Sequence, residues 1–186
     1  MELTPEINPG MLNGWVLLAL FYIVFGILLL SFPKGVVARL YDRSAWGKKQ
    51  KILSAAGKLF IFSWFVLVIL TPMNIGNIVF ILGCAIYLLG LSGFVLSLLN
   101  YKDTPLDQPV SKGLYRASRN PQQVSILLSY LGISLAIGSW VAVFLIVIAA
   151  FMSHIRVIAE ERSCLIQYGA SYRQYMERVP RYFLFF

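Results

Sequence analysis

Two groups of polar residues in the last third of the chain have the types and spacing of a chemical site. The first is the segment 113–121, Gly-Leu-Tyr-Arg-Ala-Ser-Arg-Asn-Pro, and the second is Arg156 with Glu160 and Glu161. A long apolar stretch separates them, and polar groups at the edge of a membrane are costly unless they have partners or a task. Guanidinium and carboxylate groups hold ligands through charge-assisted hydrogen bonds. We therefore expect a polar pocket where the two groups meet.

The composition is that of an integral membrane protein. Of the 186 residues, 59% are hydrophobic and only 13% are charged, whereas a soluble domain is about half apolar and a quarter charged. The net charge of +8 indicates basic loops that set topology and contact anionic membrane lipids, and we expect no nucleic-acid partner. Neither Cys84 nor Cys164 has the spacing of metal ligands, so we expect no metal.

Apolar stretches predict an all-α polytopic fold with about five transmembrane helices in one domain, residues 1–186. The fourth stretch is short, and Gly138-Ser139 is expected to join it to the fifth in a C-terminal helical hairpin over 122–158. A basic loop, 33–51, follows the first stretch and contains a short amphipathic segment typical of the membrane interface. The five stretches cover residues 11–32, 52–70, 75–99, 122–137 and 140–158.

Two residue types have structural interpretations. Glycines in the third stretch predict close helix packing, and tryptophans predict belts at the membrane interfaces. The glycines are Gly76, Gly83, Gly90 and Gly93, and the tryptophans are Trp15, Trp46, Trp64 and Trp140.

The positions of the basic residues predict the topology. All sixteen Lys and Arg residues lie in the loop 33–51, at Lys58, in the loop 100–120 or after residue 155. With five spans these places share one side of the membrane. The positive-inside rule then places the N-terminus outside, and the C-terminus and the polar pocket in the cytoplasm.

Both polar groups also have purely structural interpretations. Arg156 and Glu160 are four residues apart and share a helix face, which is the spacing of an ion pair that anchors a helix end. Arg119-Asn120-Pro121 fits a helix cap with an arginine that reaches the interface. His154, the one histidine, is more typical of a structural partner than of a catalyst.

The ordered set of motifs resembles the isoprenylcysteine carboxyl methyltransferase family and its phospholipid N-methyltransferase relatives. The resemblance covers residues 100–180, whereas residues 1–99 match only as hydrophobic spans. It divides the domain into three spans with an interfacial basic loop (1–99) and a methyltransferase core (100–186). The motifs are Gly113-Leu-Tyr115, Arg119-Asn120-Pro121, Arg156 with Glu160-Glu161, Gly169-Ala-Ser-Tyr172-Arg-Gln-Tyr175 and Val179-Pro180.

The resemblance implies a membrane enzyme that uses S-adenosylmethionine in a cytoplasmic cofactor pocket. Arg156 is expected to meet the methyl acceptor as the catalytic residue. By position in the family motifs, the expected cofactor-binding residues are Asn100, Asp107, Gln108, Pro109, Val110, Tyr115, Arg119, Asn120, Pro121, Gln122, Gln123, Glu160 and Glu161.

Two departures from the family pattern bear on the chemistry. Asn120 stands where the family usually has histidine, and Gln123 where it usually has tyrosine. Since an amide cannot titrate, the motif favours an acceptor that needs no general base, and a prenylcysteine-type carboxylate leads. A phospholipid amine, as in phosphatidylethanolamine, and a small thiol are the enzymatic alternatives. A non-catalytic membrane scaffold with a degenerate site is the alternative from another class.

Overall fold

The computed structural model describes residues 1–3, 6–43 and 46–183, apart from the side chains of Lys49 and Leu53. The described elements are α-helices, with one short 3₁₀ turn at Gly113–Arg116. Apolar residues surround the longer helices on all faces, which is the pattern of helices that contact lipid. The helices are α1 Trp15–Ser31, α2 Lys34–Tyr41, α3 Lys48–Leu70, α4 Ile78–Lys102, α5 Pro121–Ala136, α6 Trp140–Tyr168 and α7 Ala170–Arg178.

Three helices, α3, α4 and α6, are long and apolar enough to cross a membrane. Of the other two predicted spans, α1 has 17 residues and is shorter than the predicted stretch 11–32, and α5 has 16 and is as short as predicted. At 1.5 Å per residue each is about 25 Å long, somewhat less than a hydrocarbon core of about 30 Å. The helical architecture is therefore confirmed, and five spans stay a prediction.

The first helix begins later than predicted because the residues before it bond elsewhere. The Asn8 N–H donates to the Leu70 carbonyl at 3.0 Å, and the Gly14 N–H donates to the Thr71 carbonyl at 3.1 Å. The Asn13 side chain, 1% exposed, donates to the Ile69 carbonyl. These bonds hold the segment before α1 against the turn between α3 and α4.

The predicted hairpin forms, but each of its helices packs mainly on an earlier helix. Gly138 adopts a positive φ of 67° in the turn between α5 and α6, a conformation that glycine adopts without strain. The Ser139 hydroxyl then caps α6 by accepting from the Ala142 N–H at 3.1 Å. The main partner of α5 is α4, and the main partner of α6 is α3.

Close packing of α4 on α5 confirms the interpretation of the glycines. A Cβ atom at Gly90 would lie 2.5 Å from the backbone nitrogen of Ser129, and one at Gly83 would lie 2.7 Å from the Gly132 carbonyl oxygen. The two backbones are therefore in direct contact, as small residues allow inside membranes. Gly76 does not take part, since it has open space around it.

Aromatic side chains form the centre of the bundle, which corrects the prediction for Trp64. Its indole is fully buried, donates to the Ser134 hydroxyl at 2.9 Å and stacks on Tyr130 with ring centroids 4.5 Å apart. Phe21 stacks on Phe94 beside this pair, at 4.9 Å. Trp64 thus joins α3 to α5 in the core and is not an interfacial anchor.

The connections lie at two ends of the bundle. At one end the Glu2 N–H donates to the Gly138 carbonyl and the Asn74 N–H donates to the Ala136 carbonyl, both at 2.9 Å. The other end carries α2, the loop after α4, the C-terminal part of α6 and α7. The arrangement has the two ends that the predicted topology requires, and the side of the membrane on which each end lies stays a prediction.

Cysteine labelling tests that topology. Single cysteines at Asn74 and at Lys112, in a background with Cys84→Ser and Cys164→Ser, should react with a membrane-impermeant maleimide from opposite sides. We expect position 74 to label in intact cells and position 112 only after permeabilisation, because the basic end faces the cytoplasm. Labelling of both positions from the same side would contradict the topology.

Candidate active site

A buried carboxylate lies at the centre of the polar end. Glu161, on α6, is 4% exposed. Its Oε1 atom accepts from Arg119 Nε at 3.1 Å and from Asn120 Nδ2 at 3.0 Å, and its Oε2 atom accepts from Arg181 Nε at 3.0 Å. A buried charge is tolerated when it is paired and hydrogen-bonded, and two arginines and an amide meet that condition here.

The turn before α5 delivers Arg119 and Asn120 to this carboxylate. Pro121 is at the start of α5, where proline fits because its nitrogen has no proton to satisfy. The side-chain cap of the structural alternative does not form at Asn120: its amide donates to Glu161 and, at 3.3 Å, to the Arg181 carbonyl. The structural alternative in which Arg119 reaches the interface also does not hold, since its side chain is 6% exposed and paired with Glu161.

The segment after α7 folds back on the same turn. The Arg119 N–H donates to the Pro180 carbonyl at 2.9 Å, and the Ser118 hydroxyl donates to the Arg181 carbonyl at 3.1 Å. His154 Nδ1 lies 2.9 Å from the Tyr182 hydroxyl, which agrees with its expected role as a structural partner. The Val-Pro motif thus fastens the C-terminal part of the chain to the site.

A cavity of about 380 Å³ opens beside the Glu161 cluster, within the range of about 300–1,000 Å³ of small-molecule sites. Most of the predicted site residues line it. They are Pro109, Val110, Tyr115, Arg119, Asn120, Gln122, Gln123, Arg156, Glu160 and Glu161.

Four predicted residues do not line the cavity. Asp107 and Gln108 are exposed on the loop, and Pro121 is buried at the start of α5. The side chain of Asn100 lies against Gly113, which has a positive φ of 58° and where a Cβ atom would overlap the Asn100 amide. Asn100 therefore supports the 113–116 turn in this structure.

Arg156 and Glu160 form the predicted ion pair, with Nε and Oε1 3.0 Å apart. Their side chains are 38% and 40% exposed, in contrast to the buried Glu161. A half-exposed pair exchanges partners more readily than a buried one because water screens it. Of the two adjacent glutamates, Glu160 is thus the one available to a ligand.

Tyrosines form the wall on the α7 side. The Tyr115 hydroxyl accepts from Gln122 Nε2 at 2.9 Å, and the Tyr175 hydroxyl donates to the Tyr115 carbonyl at 2.7 Å. Burial raises the pKa of Tyr115, Tyr172 and Tyr175 above the usual value for a phenol. The three phenols therefore stay protonated at neutral pH and do not serve as bases.

Most of the residues of this site lie in a segment that matches a known family. Residues 100–171 match the family model for phospholipid methyltransferase. Over these residues the chain is similar to phospholipid methyltransferases. The match confirms the resemblance of the chain to the family that includes isoprenylcysteine carboxyl methyltransferases and phospholipid methyltransferases. No curated protein and no solved structure matches the chain.

The methyltransferase domain runs from the last turn of α4 into α7 and contains the Glu161 cluster apart from Arg181. The matching family is one of membrane methyltransferases, which generally use S-adenosylmethionine. Among the described residues, no three His, Cys, Asp or Glu side chains are grouped as metal ligands.

Residues outside the methyltransferase domain complete the cavity, and the sequence interpretation missed them. Arg39, Leu40, Asp42 and Trp46 line it from the basic loop, which the sequence predicts to set topology and to lie at the membrane interface. Arg39 donates to the Tyr101 carbonyl at 2.7 Å, and its guanidinium lies 4.2 Å from the centre of the Tyr101 ring. The amphipathic pattern of α2 predicts a helix at the interface, but it carries no signal for the partner on which the helix docks.

Removing the charge of Glu161 should destabilise the protein far more than removing that of Glu160. Glu161→Gln leaves Arg119 and Arg181 beside a neutral group, and breaking a buried pair in this way costs about 3–5 kcal/mol. Glu160→Gln is the matched control and should cost less than about 1 kcal/mol, as for exposed pairs. Free energies of unfolding in detergent, measured by circular dichroism, should show this difference, and equal losses would mean that Glu161 does not hold the turn.

Proposed function

We propose that the protein transfers a methyl group from S-adenosylmethionine to a lipid-like acceptor. The observation that carries the proposal is the cavity in the methyltransferase domain, which joins a polar floor to an apolar wall at one end of a bundle with membrane-length helices. The floor is the Glu161 cluster. The wall includes Leu40, Ile126 and Ile166, which suit the hydrocarbon part of an acceptor.

The lining residues fit the chemistry of this cofactor. S-adenosylmethionine carries an ammonium group, ribose hydroxyls and a purine ring, and it supplies an electrophilic methyl group on a positively charged sulfur. The half-exposed carboxylate of Glu160 suits ammonium or hydroxyl donors. The amides of Gln122 and Gln123 can both donate and accept, and the cavity has the volume of a small-molecule site.

The residues of this chain would act by orientation. Methyl transfer to a carboxylate oxygen forms one C–O bond and breaks one C–S bond without releasing a proton, so in-line placement is the main requirement. Arg156 lines the cavity, and its planar guanidinium is suited to holding a carboxylate. The absence of a titratable base from the Asn120 position and the raised pKa values of the cavity phenols favour this acceptor.

A phospholipid amine is the second candidate, and the description of the matching family favours it. An amine loses a proton on methylation, and Glu160 is a half-exposed lining carboxylate that can accept it. The two candidates thus give Arg156 different roles: it holds the acceptor in the first, and in the second it orients Glu160 through their ion pair.

Calorimetry with S-adenosylhomocysteine tests the cofactor proposal. The purified protein should bind it, and Glu160→Gln should weaken binding by about 1.5–3 kcal/mol, the scale of a hydrogen bond to a charged group. Glu177→Gln is the matched control, since Glu177 is exposed on α7 and does not line the cavity. No binding at millimolar ligand would support the non-catalytic scaffold instead.

The products formed with labelled cofactor identify the acceptor. A prenylcysteine carboxylate should yield a base-labile methyl ester, and label in a methylated phospholipid amine would overturn the carboxylate assignment. Arg156→Ala should abolish transfer while S-adenosylhomocysteine still binds, and Arg162→Ala, an exposed arginine on the same helix, should leave both intact. Loss of cofactor binding in Arg156→Ala would make Arg156 part of the cofactor pocket.

A further inference from the structure

Two residues of the cavity wall each carry a buried hydrogen-bond donor that has no partner in the described part of the chain. Trp46 is 5% exposed and lines the cavity, and among the described residues nothing accepts from its indole N–H. Nε of Arg39, which lines the same cavity, is buried and unpartnered in the same way. A buried donor without a partner costs about 1–3 kcal/mol, and groups of this kind are rare enough to need an explanation.

Arg39 is held firmly in place, which makes its free Nε a fixed donor. Its Nη1 and Nη2 atoms donate to the carbonyls of Pro105 and Tyr101 at 2.8 and 2.7 Å, and its guanidinium stacks on the Tyr101 ring. These contacts fasten α2 to the loop after α4. A donor that is already positioned loses little conformational entropy when a ligand binds.

The charge and chemistry of this wall indicate the kind of ligand. Indole and guanidinium groups only donate, so their ligand must accept, and a negatively charged oxygen accepts most strongly. Arg43 adds a positive charge 5.2 Å from the centre of the Trp46 ring. Asp42, the acidic residue of this wall, has an interaction of its own within the protein.

We propose that Arg39 and Trp46 bind an oxyanion of the lipid-like acceptor. This rests on the proposed function for the acceptor's lipid character, which the same wall supports because Leu40 lines the cavity next to Arg39. The oxyanion is a carboxylate or a phosphate, since both offer the same charged oxygens to these donors, and either has a second oxygen that Arg156 would hold. Arg39 and Trp46 lie outside the matched segment, and as ligands of the acceptor they would contribute to its selection.

Nuclear magnetic resonance of the indole groups tests the site without relying on turnover. The chain has four tryptophans, and Trp46→Phe identifies the ¹⁵N–¹H signal of Trp46 in detergent. The probes are a farnesyl thioether carboxylic acid and dihexanoylphosphatidylethanolamine, with the matching farnesyl alcohol and dihexanoylglycerol as neutral controls. We expect an oxyanion probe to move the signal downfield and its control to leave it in place, and the probe that does so tells carboxylate from phosphate.

Affinity measurements complete the test. Trp46→Phe keeps the aromatic ring, removes the donor, and should weaken the active probe about tenfold or more. Trp140→Phe is the control and should not change affinity, because Trp140 is exposed and lies at the end of α6 away from the cavity. The proposal is overturned if no probe moves the signal, if the neutral controls move it equally, or if S-adenosylhomocysteine alone does so. A shift with a lipid oxyanion in a protein that binds no S-adenosylhomocysteine would remove the methyl-transfer proposal and keep this site.

Discussion

The buried carboxylate of Glu161 is the constraint on which the polar end depends. Water cannot solvate this charge, so protein donors must surround it, and they come from two separate parts of the chain: Arg119 and Asn120 before α5, and Arg181 after α7. The carboxylate therefore holds these two parts of the chain together. The neighbouring Glu160, one position along the same helix, faces the cavity and is half exposed. Adjacent glutamates therefore differ in role because their helix angles place them in different surroundings.

Local spacing predicted the features that depend on local geometry. The interval of four residues between Arg156 and Glu160 places them on one helix face, and the pair forms as expected. Pro121 begins α5, and the glycines of α4 contact a neighbouring backbone. In each case the physical cause acts within a turn of helix or depends only on side-chain size, so it can be derived from the sequence.

Features that depend on distant partners could not be derived in this way. Arg39 bonds to carbonyl groups more than sixty residues away, and backbone carbonyls leave no mark on the sequence. The amide of Asn120 fits a helix cap and a carboxylate partner equally well until Glu161 is placed beside it. Tryptophan is a residue type typical of membrane interfaces, but the Trp64 indole N–H donates to the Ser134 hydroxyl, which lies on another helix. The predicted methyltransferase motif therefore located the cavity, and the wall contributed by α2 required the structure.

The length of α6 has a consequence for where an acceptor is presented. The helix contains 29 residues from Trp140 to Tyr168, about 43 Å at 1.5 Å per residue. Twenty residues separate Trp140 from Glu160, which corresponds to about 30 Å, the thickness of the hydrocarbon layer. If that layer begins at Trp140, the cavity lies at the depth of the opposite headgroups. A lipid could then bring its polar end to the site by lateral diffusion while its chains stay in the bilayer, without the cost of extracting them into water.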